Sequence, residues 1–120
     1  MEGYDAEIFV SKDFEVDTFT FGDLSQRLYC LKAAVTDYDL TGLIVWPASR
    51  VLSWFLLQNR ELIEGKHLLE VGAGCGLTGF IAQQCGAASV TLTDGNSEVL
   101  QIINKSCSLN SERSDLELSN

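Results

Sequence analysis

The sequence predicts an α/β fold: a parallel strand–helix–strand–helix unit entered from an N-terminal β-ribbon. Three observations carry that prediction. "HLLEV" (67–71) and "SVTLTD" (89–94) are short strand-like runs, each followed by a helical pattern. Three glycines at alternate positions, Gly72, Gly74 and Gly76, stand between the first run and its helix. "FEVDTFTF" (14–21) alternates imperfectly between apolar and polar residues, the signature of a ribbon with one buried face.

The elements follow in order. After "FEVDTFTF", the run "RLYCLKAAV" (27–35) is expected as a second strand, with Leu28, Cys30 and Lys32 on one face. "DYDLTG" (37–42) reads as a turn or loop. Pro47 suits a first helical turn, where its missing N–H is no loss. Val51, Leu52, Phe55 and Leu56 then recur at helical spacing, so an amphipathic helix is expected from about Ala48 to Asn59, packed on a sheet through that stripe. "EGK" (64–66) closes the segment with a turn. "LTGFIAQQC" (77–85) reads as a helix ended by Gly86. "SEVLQIINKSCSLN" (97–110) reads as another, with Ser97 as N-cap and Val99, Leu100, Ile103 and Cys107 as its apolar face. Strand, helix, strand, helix in this order makes a right-handed βαβ unit with parallel strands. "SDLELSN" (114–120) starts a third strand. Residues 1–40 form a β-rich N-terminal extension and residues 41–120 the main α/β part.

Composition narrows the function. The chain has 120 residues, 46% hydrophobic and 21% charged, with a net charge of −9. It is too apolar to be disordered. Its acidity argues against a phosphate-backbone binder, because neutralising phosphates takes Lys and Arg. The four cysteines include no C-x-x-C pair, and His67 is the only histidine, so no metal site is expected. Reduced thiols fit a cytosolic or nuclear protein. "MEGYDAE" (1–7) has no apolar h-region, and "VLSWFLL" (51–57) is too short to span a bilayer.

The glycines fit two registers. Gly72, Gly74 and Gly76 make G-x-G-x-G, with Glu70 two residues upstream. Gly74, Gly76 and Gly79 make G-x-G-x-x-G, a dinucleotide fingerprint that starts at the turn directly after a strand. In the second register Glu70 and Gly72 lie inside a buried strand, which costs an unpaired carboxylate and weakens the strand. In the first register Glu70 sits at the strand's C-terminal tip, where ligands bind in open α/β sheets. A carboxylate there faces a cation better than a pyrophosphate. That favours S-adenosylmethionine, with its ammonium and sulfonium, over a nicotinamide cofactor. Asp94 ends the next strand eighteen positions after Gly76 and suits ribose hydroxyls in either case.

At this point "LLEVGAGCGLTG" (68–79) followed by "VTLTD" (90–94) resembles motifs I and II of class I, seven-strand methyltransferases. "TGLIVWPASRVLSWFL" (41–56) is similar to the family-16 group of methyltransferase-like proteins, which includes protein-lysine methyltransferases acting on calmodulin, chaperones and elongation factors. The resemblance runs from about Thr41 to Asn110. It implies an incomplete Rossmann-like class I methyltransferase sheet with an N-terminal β-ribbon extension, and S-adenosyl-L-methionine as cofactor. Gly72, Gly74 and Gly76 would line the methionine half of that cofactor, and Glu70 would lie near its amino end. Asp94 would hold the ribose hydroxyls, Gly95 and Asn96 would border the adenine, and Trp46 would cover the pocket. Core packing is the other reading of Trp46, and it is the expected role of Trp54. Cys75 is expected to do no thiol chemistry, and His67 to be structural.

The family also carries an Asp-x-x-Tyr-type motif where the acceptor amine is received. No Asp of this chain has a Tyr three positions later, so no catalytic residue is named. The expected function is an S-adenosylmethionine-dependent methyltransferase, protein-lysine N-methyltransferase-like, present here as a truncated form inactive by itself. Its full-length partner would be a protein substrate presenting lysine, with neither nucleic acid nor membrane involved. The alternatives are a non-catalytic short form acting as an interaction module, and a fragment of a nicotinamide-binding oxidoreductase.

Overall fold

A computed structural model describes residues 14–31, 38–110 and 116–119. Strands β1 (Phe14–Phe21) and β2 (Leu24–Leu31) form an antiparallel hairpin, with Phe14 opposite Leu31 and Phe21 opposite Leu24. A 3₁₀ turn (Tyr38–Leu43) leads to helix α1 (Pro47–Gln58). Then come β3 (His67–Val71), α2 (Leu77–Gln84), β4 (Ser89–Thr93), α3 (Ser97–Cys107) and β5 (Leu116–Ser119). β3, β4 and β5 form one parallel sheet in that spatial order.

The ribbon packs on the helices. Phe19, Phe21, Gln26, Leu28 and Cys30 are buried on one face of the hairpin, as alternation requires. The Tyr29 N–H donates to Ser106 Oγ of α3 (2.9 Å), and Gln84 of α2 donates to Gln26 Oε1 (2.8 Å). One apolar cluster runs from Phe19 and Leu28 through Leu77, Phe80 and Ile81 to Leu92, Ile102 and Ile103. β2 starts three residues before the expected Arg27, because the tight turn at Gly22 and Asp23 lets pairing begin at once. The stretch from Lys32 to Val35, expected to extend that strand, lies outside the described residues.

Helix α1 departs from expectation in a way that matters. It begins with Pro47 at its first position, but of the expected stripe of Val51, Leu52, Phe55 and Leu56 only Leu56 is partly buried against the core. Val51 is 69% exposed and Phe55 50%. The helix leans on α2 through its small face instead. Ser53 is the buried residue of α1, its hydroxyl donating to the Ser49 carbonyl (2.7 Å). That carbonyl also accepts from Thr78 Oγ1 of α2 (3.3 Å). Two serines let the helix backbones approach, and no strand lies beyond β3 among the described residues for the apolar stripe to cover. Trp54, expected in the core, is half-exposed and meets Phe21 edge-on at 5.6 Å.

Leu68 and Glu70 of β3 and Val90 and Leu92 of β4 face the helices. The opposite sheet face carries Leu69 and Val71, 67% and 81% exposed. Helix α3 is capped by Asn96 and not by Ser97: Asn96 Oδ1 accepts the Glu98 N–H (2.8 Å). Its buried residues are Val99, Ile102, Ile103 and Ser106, with Leu100 and Cys107 only partly covered, so the buried stripe is rotated toward β2.

Candidate functional site

β3 ends at Val71 and the glycine loop begins at Gly72, which places the sharp turn where the G-x-G-x-G register needs it. Gly72, Gly74 and Gly76 have φ of 69°, 57° and 87°, and no non-glycine described residue has positive φ. L-residues pay for that backbone region, so alternation of glycine follows alternation of φ. Gly79, the last residue of the other register, lies inside α2 with Leu92 pressed against it. Its glycine answers a packing demand and not a loop conformation.

The end of β4 holds the loop. The Ala73 N–H donates to the Thr93 carbonyl (2.9 Å), and Thr93 Oγ1 donates to the Glu70 carbonyl (2.8 Å). Asp94 takes the Gly74 N–H on Oδ2 (3.1 Å) and the Asn96 N–H on Oδ1 (3.0 Å). One carboxylate therefore joins the glycine loop to the entrance of α3. Each oxygen keeps further acceptor capacity for a ligand hydroxyl. Thr93 was not singled out from the sequence, where it is one more polar residue in an alternating strand.

A hollow of about 40 Å³ lies against the loop, lined by residues 44–46, Ser49 and residues 72–77. It is far smaller than the roughly 300–1,000 Å³ of a site enclosing a whole small molecule. A hollow of this size encloses at most one end of a small molecule. A Cβ on Gly72 or on Gly95 would meet nothing within 4 Å, so open space remains beside the backbone at both places. Trp46 stands at the rim, half-exposed, its Nε1 donating to the Thr41 carbonyl (2.9 Å). That position is at the surface and not in the core. Asn96 is not among the residues lining the hollow, and its side-chain oxygen is engaged as the α3 cap.

Glu70 is placed differently from the other expected site residues. Its side chain lines a neighbouring groove of about 330 Å³, together with Leu52, Leu56, Leu68, Thr78 and Gly79. The strand pleat sends residue 70 toward the helices while the loop turns away above it. Burial pushes the Glu70 carboxyl up to about 7, against an opposing hydrogen bond from the Gly79 backbone. Oε1 is buried with no hydrogen-bond partner. The proton taken up on folding has a definite sign. The folded carboxyl binds it more tightly than the unfolded one, whose value is 4.5. This contribution is full below pH 4.5 and is lost as pH rises through 7, about 3 kcal/mol in all. Glu70→Gln is therefore expected to stabilise the fold at pH 8 but not at pH 4.5, read from paired thermal melts. Equal melting differences at the two pH values would refute that coupling.

Cys75 is buried, its Sγ 3.7 Å from the Gly42 carbonyl, and burial drives its thiol far above the ordinary range. His67 Nδ1 meets Ser89 Oγ at 2.7 Å across the β3–β4 pair. On the ribbon, Glu15, Asp17 and Cys30 bring ligating atoms within 4.8 Å of one another. Burial and the two carboxylates push the Cys30 thiol up to about 11.

Residues 29–119 match the family model described as lysine methyltransferase. The histone-arginine methyltransferase METTL23 of Rattus norvegicus is 42% identical over 71 residues, 58% of this chain and 31% of that protein. The electron transfer flavoprotein beta subunit lysine methyltransferase of Homo sapiens is 36% identical over 67 residues, 56% of this chain and 26% of that protein. The calmodulin-lysine N-methyltransferase of Arabidopsis thaliana is 39% identical over 75 residues, 61% and 25% respectively. The chain thus spans between a quarter and a third of these relatives. Among solved structures, the T. thermophilus 16S rRNA N2 G1207 methyltransferase in complex with AdoMet and guanosine matches 87% of this chain and 26% of its own, with a TM-score of 0.64 at 17% identity. That likeness shows the fold, the Rossmann-like α/β sheet of class I methyltransferases.

Proposed function

The chain belongs to the lysine methyltransferase family, and from that premise we propose that it binds S-adenosyl-L-methionine as the cofactor-holding part of a protein methyltransferase. One observation carries the proposal: three positive-φ glycines at alternate positions directly after β3, tied by Asp94 to the end of β4. The loop offers backbone and open space to a ligand's methionine end, and Asp94 offers acceptors to hydroxyls. Trp46 shields the hollow from water. When bound, the cofactor supplies an electrophilic methyl group on a sulfonium.

The acceptor in this reading is a side-chain nitrogen of a protein, lysine first. The names of the relatives support a protein acceptor and include both lysine and arginine enzymes. A lysine amine has an ordinary pKa of about 10.4 and must shed a proton before it can attack. Glu70 is not offered for that task, since its carboxyl lies in the separate groove. The described residues contribute cofactor binding and orientation, which are a large share of catalysis by positioning. A cytosolic or nuclear setting belongs to the same proposal, supported by four unpaired cysteines.

Isothermal titration with S-adenosylhomocysteine and, separately, NAD tests the reading. Saturable binding of the first and none of the second is expected. NAD binding without S-adenosylhomocysteine binding would overturn it.

A further inference from the structure

We propose that Gly42 is a positioning residue for the cofactor site: it spaces the Thr41–Trp46 strap between helix α3 and the glycine loop. The proposal rests on the reading of that loop as a cofactor site. Gly42 is not among the positive-φ glycines, so the sign of its φ does not by itself demand glycine. The requirement is one of space. A Cβ there would lie 2.7 Å from Val99 Cγ2, closer than real Cβ atoms come to a neighbour. Val99 is 1% exposed in the middle of the core and is fixed by α3. A β-branched side chain in a helix has little rotamer freedom with which to yield.

The other side of Gly42 faces the loop. Its carbonyl lies 3.3 Å from the point where a Cβ on Gly74 would stand, and 3.7 Å from Cys75 Sγ. Gly42 is therefore pinned between a core valine and the loop backbone. Any side chain at 42 must push the strap away from Val99, onto Gly74 and Cys75. The displacement does not stop at Gly42. The adjacent Thr41 carbonyl accepts the Trp46 indole N–H, and Leu43 on the other side is fully buried. Moving Gly42 moves the carbonyl that holds Trp46 at the rim and narrows a hollow of only about 40 Å³. Close packing transmits such a shift because the interior has no slack to absorb it. Gly42 thus controls the hollow's width without touching the ligand.

The test compares four proteins by titration with S-adenosylhomocysteine: wild type, V99A, G42A and G42A/V99A. G42A is expected to bind about tenfold more weakly or worse, equivalent to about 1.4 kcal/mol. Val99→Ala removes the methyl groups that a Cβ at 42 would strike, so G42A/V99A is expected to recover an affinity within about threefold of V99A, some 0.7 kcal/mol. A merely destabilising pair would show the opposite order, since V99A removes core volume and adds its own loss of stability. Should G42A fail to fold, G42V/V99A against G42A/V99A makes the same comparison, with weaker binding expected for the larger residue. G42A with wild-type affinity, or weakening that V99A does not relieve, would overturn the proposal. Wild type that does not bind would overturn the cofactor reading itself, and this inference with it.

Discussion

Asp94→Ala is expected to reduce affinity for S-adenosylhomocysteine on the order of a hundredfold. Two losses combine. In the proposed site the ribose hydroxyls lose a charged acceptor, and the Gly74 and Asn96 N–H groups lose the carboxylate that ties the loop to α3. Hydrogen bonds to a charged group contribute about 1.5–3 kcal/mol each, and 1.4 kcal/mol is tenfold. Asp94→Asn distinguishes the two losses. The amide retains one acceptor oxygen and loses the charge, so intermediate affinity is expected. Titration at a temperature well below both variants' melting points reads the effect apart from stability. An Asp94→Ala protein that binds within threefold of wild type would remove Asp94 from the site.

The largest expected loss of stability comes from Gly79→Ala. A Cβ on Gly79 would collide with Leu92 Cδ2 and stand 3.1 Å from Leu92 Cγ. Leu92 is fully buried in β4, and Gly79 lies in the first turn of the helix that covers it. Helix α2 must lift from the sheet, or Leu92 must leave its rotamer. Overpacking of this kind costs roughly 1–3 kcal/mol, and a contact this short falls at the upper end of that range. Urea denaturation checks it. The midpoint is expected to fall while the m-value holds, since the surface exposed on unfolding barely changes. A loss below about 0.5 kcal/mol, the scatter of ordinary surface changes, would mean the helix sits more loosely than the contact implies. The glycine at 79 completes a G-x-G-x-x-G spacing by sequence, yet its role here is to let a helix lie close on a strand.

Much of the architecture was legible in local pattern. The starts of both core strands and of α2 and α3, the turn onto the glycine loop, and Asp94 just past β4 all came from contiguous residues. Periodicity and turn chemistry are short-range properties, so a run of ten residues states them completely. The preference for G-x-G-x-G came from where β3 had to stop, and the positive φ at Gly72, Gly74 and Gly76 agrees with it. Glu70, expected as a ligand-facing carboxylate at the strand tip, has its side chain in the groove beside Gly79 instead.

What the tertiary structure alone decided concerns neighbours distant in sequence. The apolar stripe of α1 follows helical spacing, but burial belongs to Ser53, because α2 packs against the serine face. Asn96, which the family resemblance implies as an adenine neighbour, uses its oxygen to cap α3. Gly42 looked like a loop residue, and only the arrival of Val99 from one side and Gly74 from the other shows why a side chain is excluded there. Sequence determined which backbone conformations and elements form, since those depend on residues within a few positions. Which face each element buries, and where each polar side chain ends, depended on surfaces brought together from tens of residues away, and no local pattern encodes that meeting.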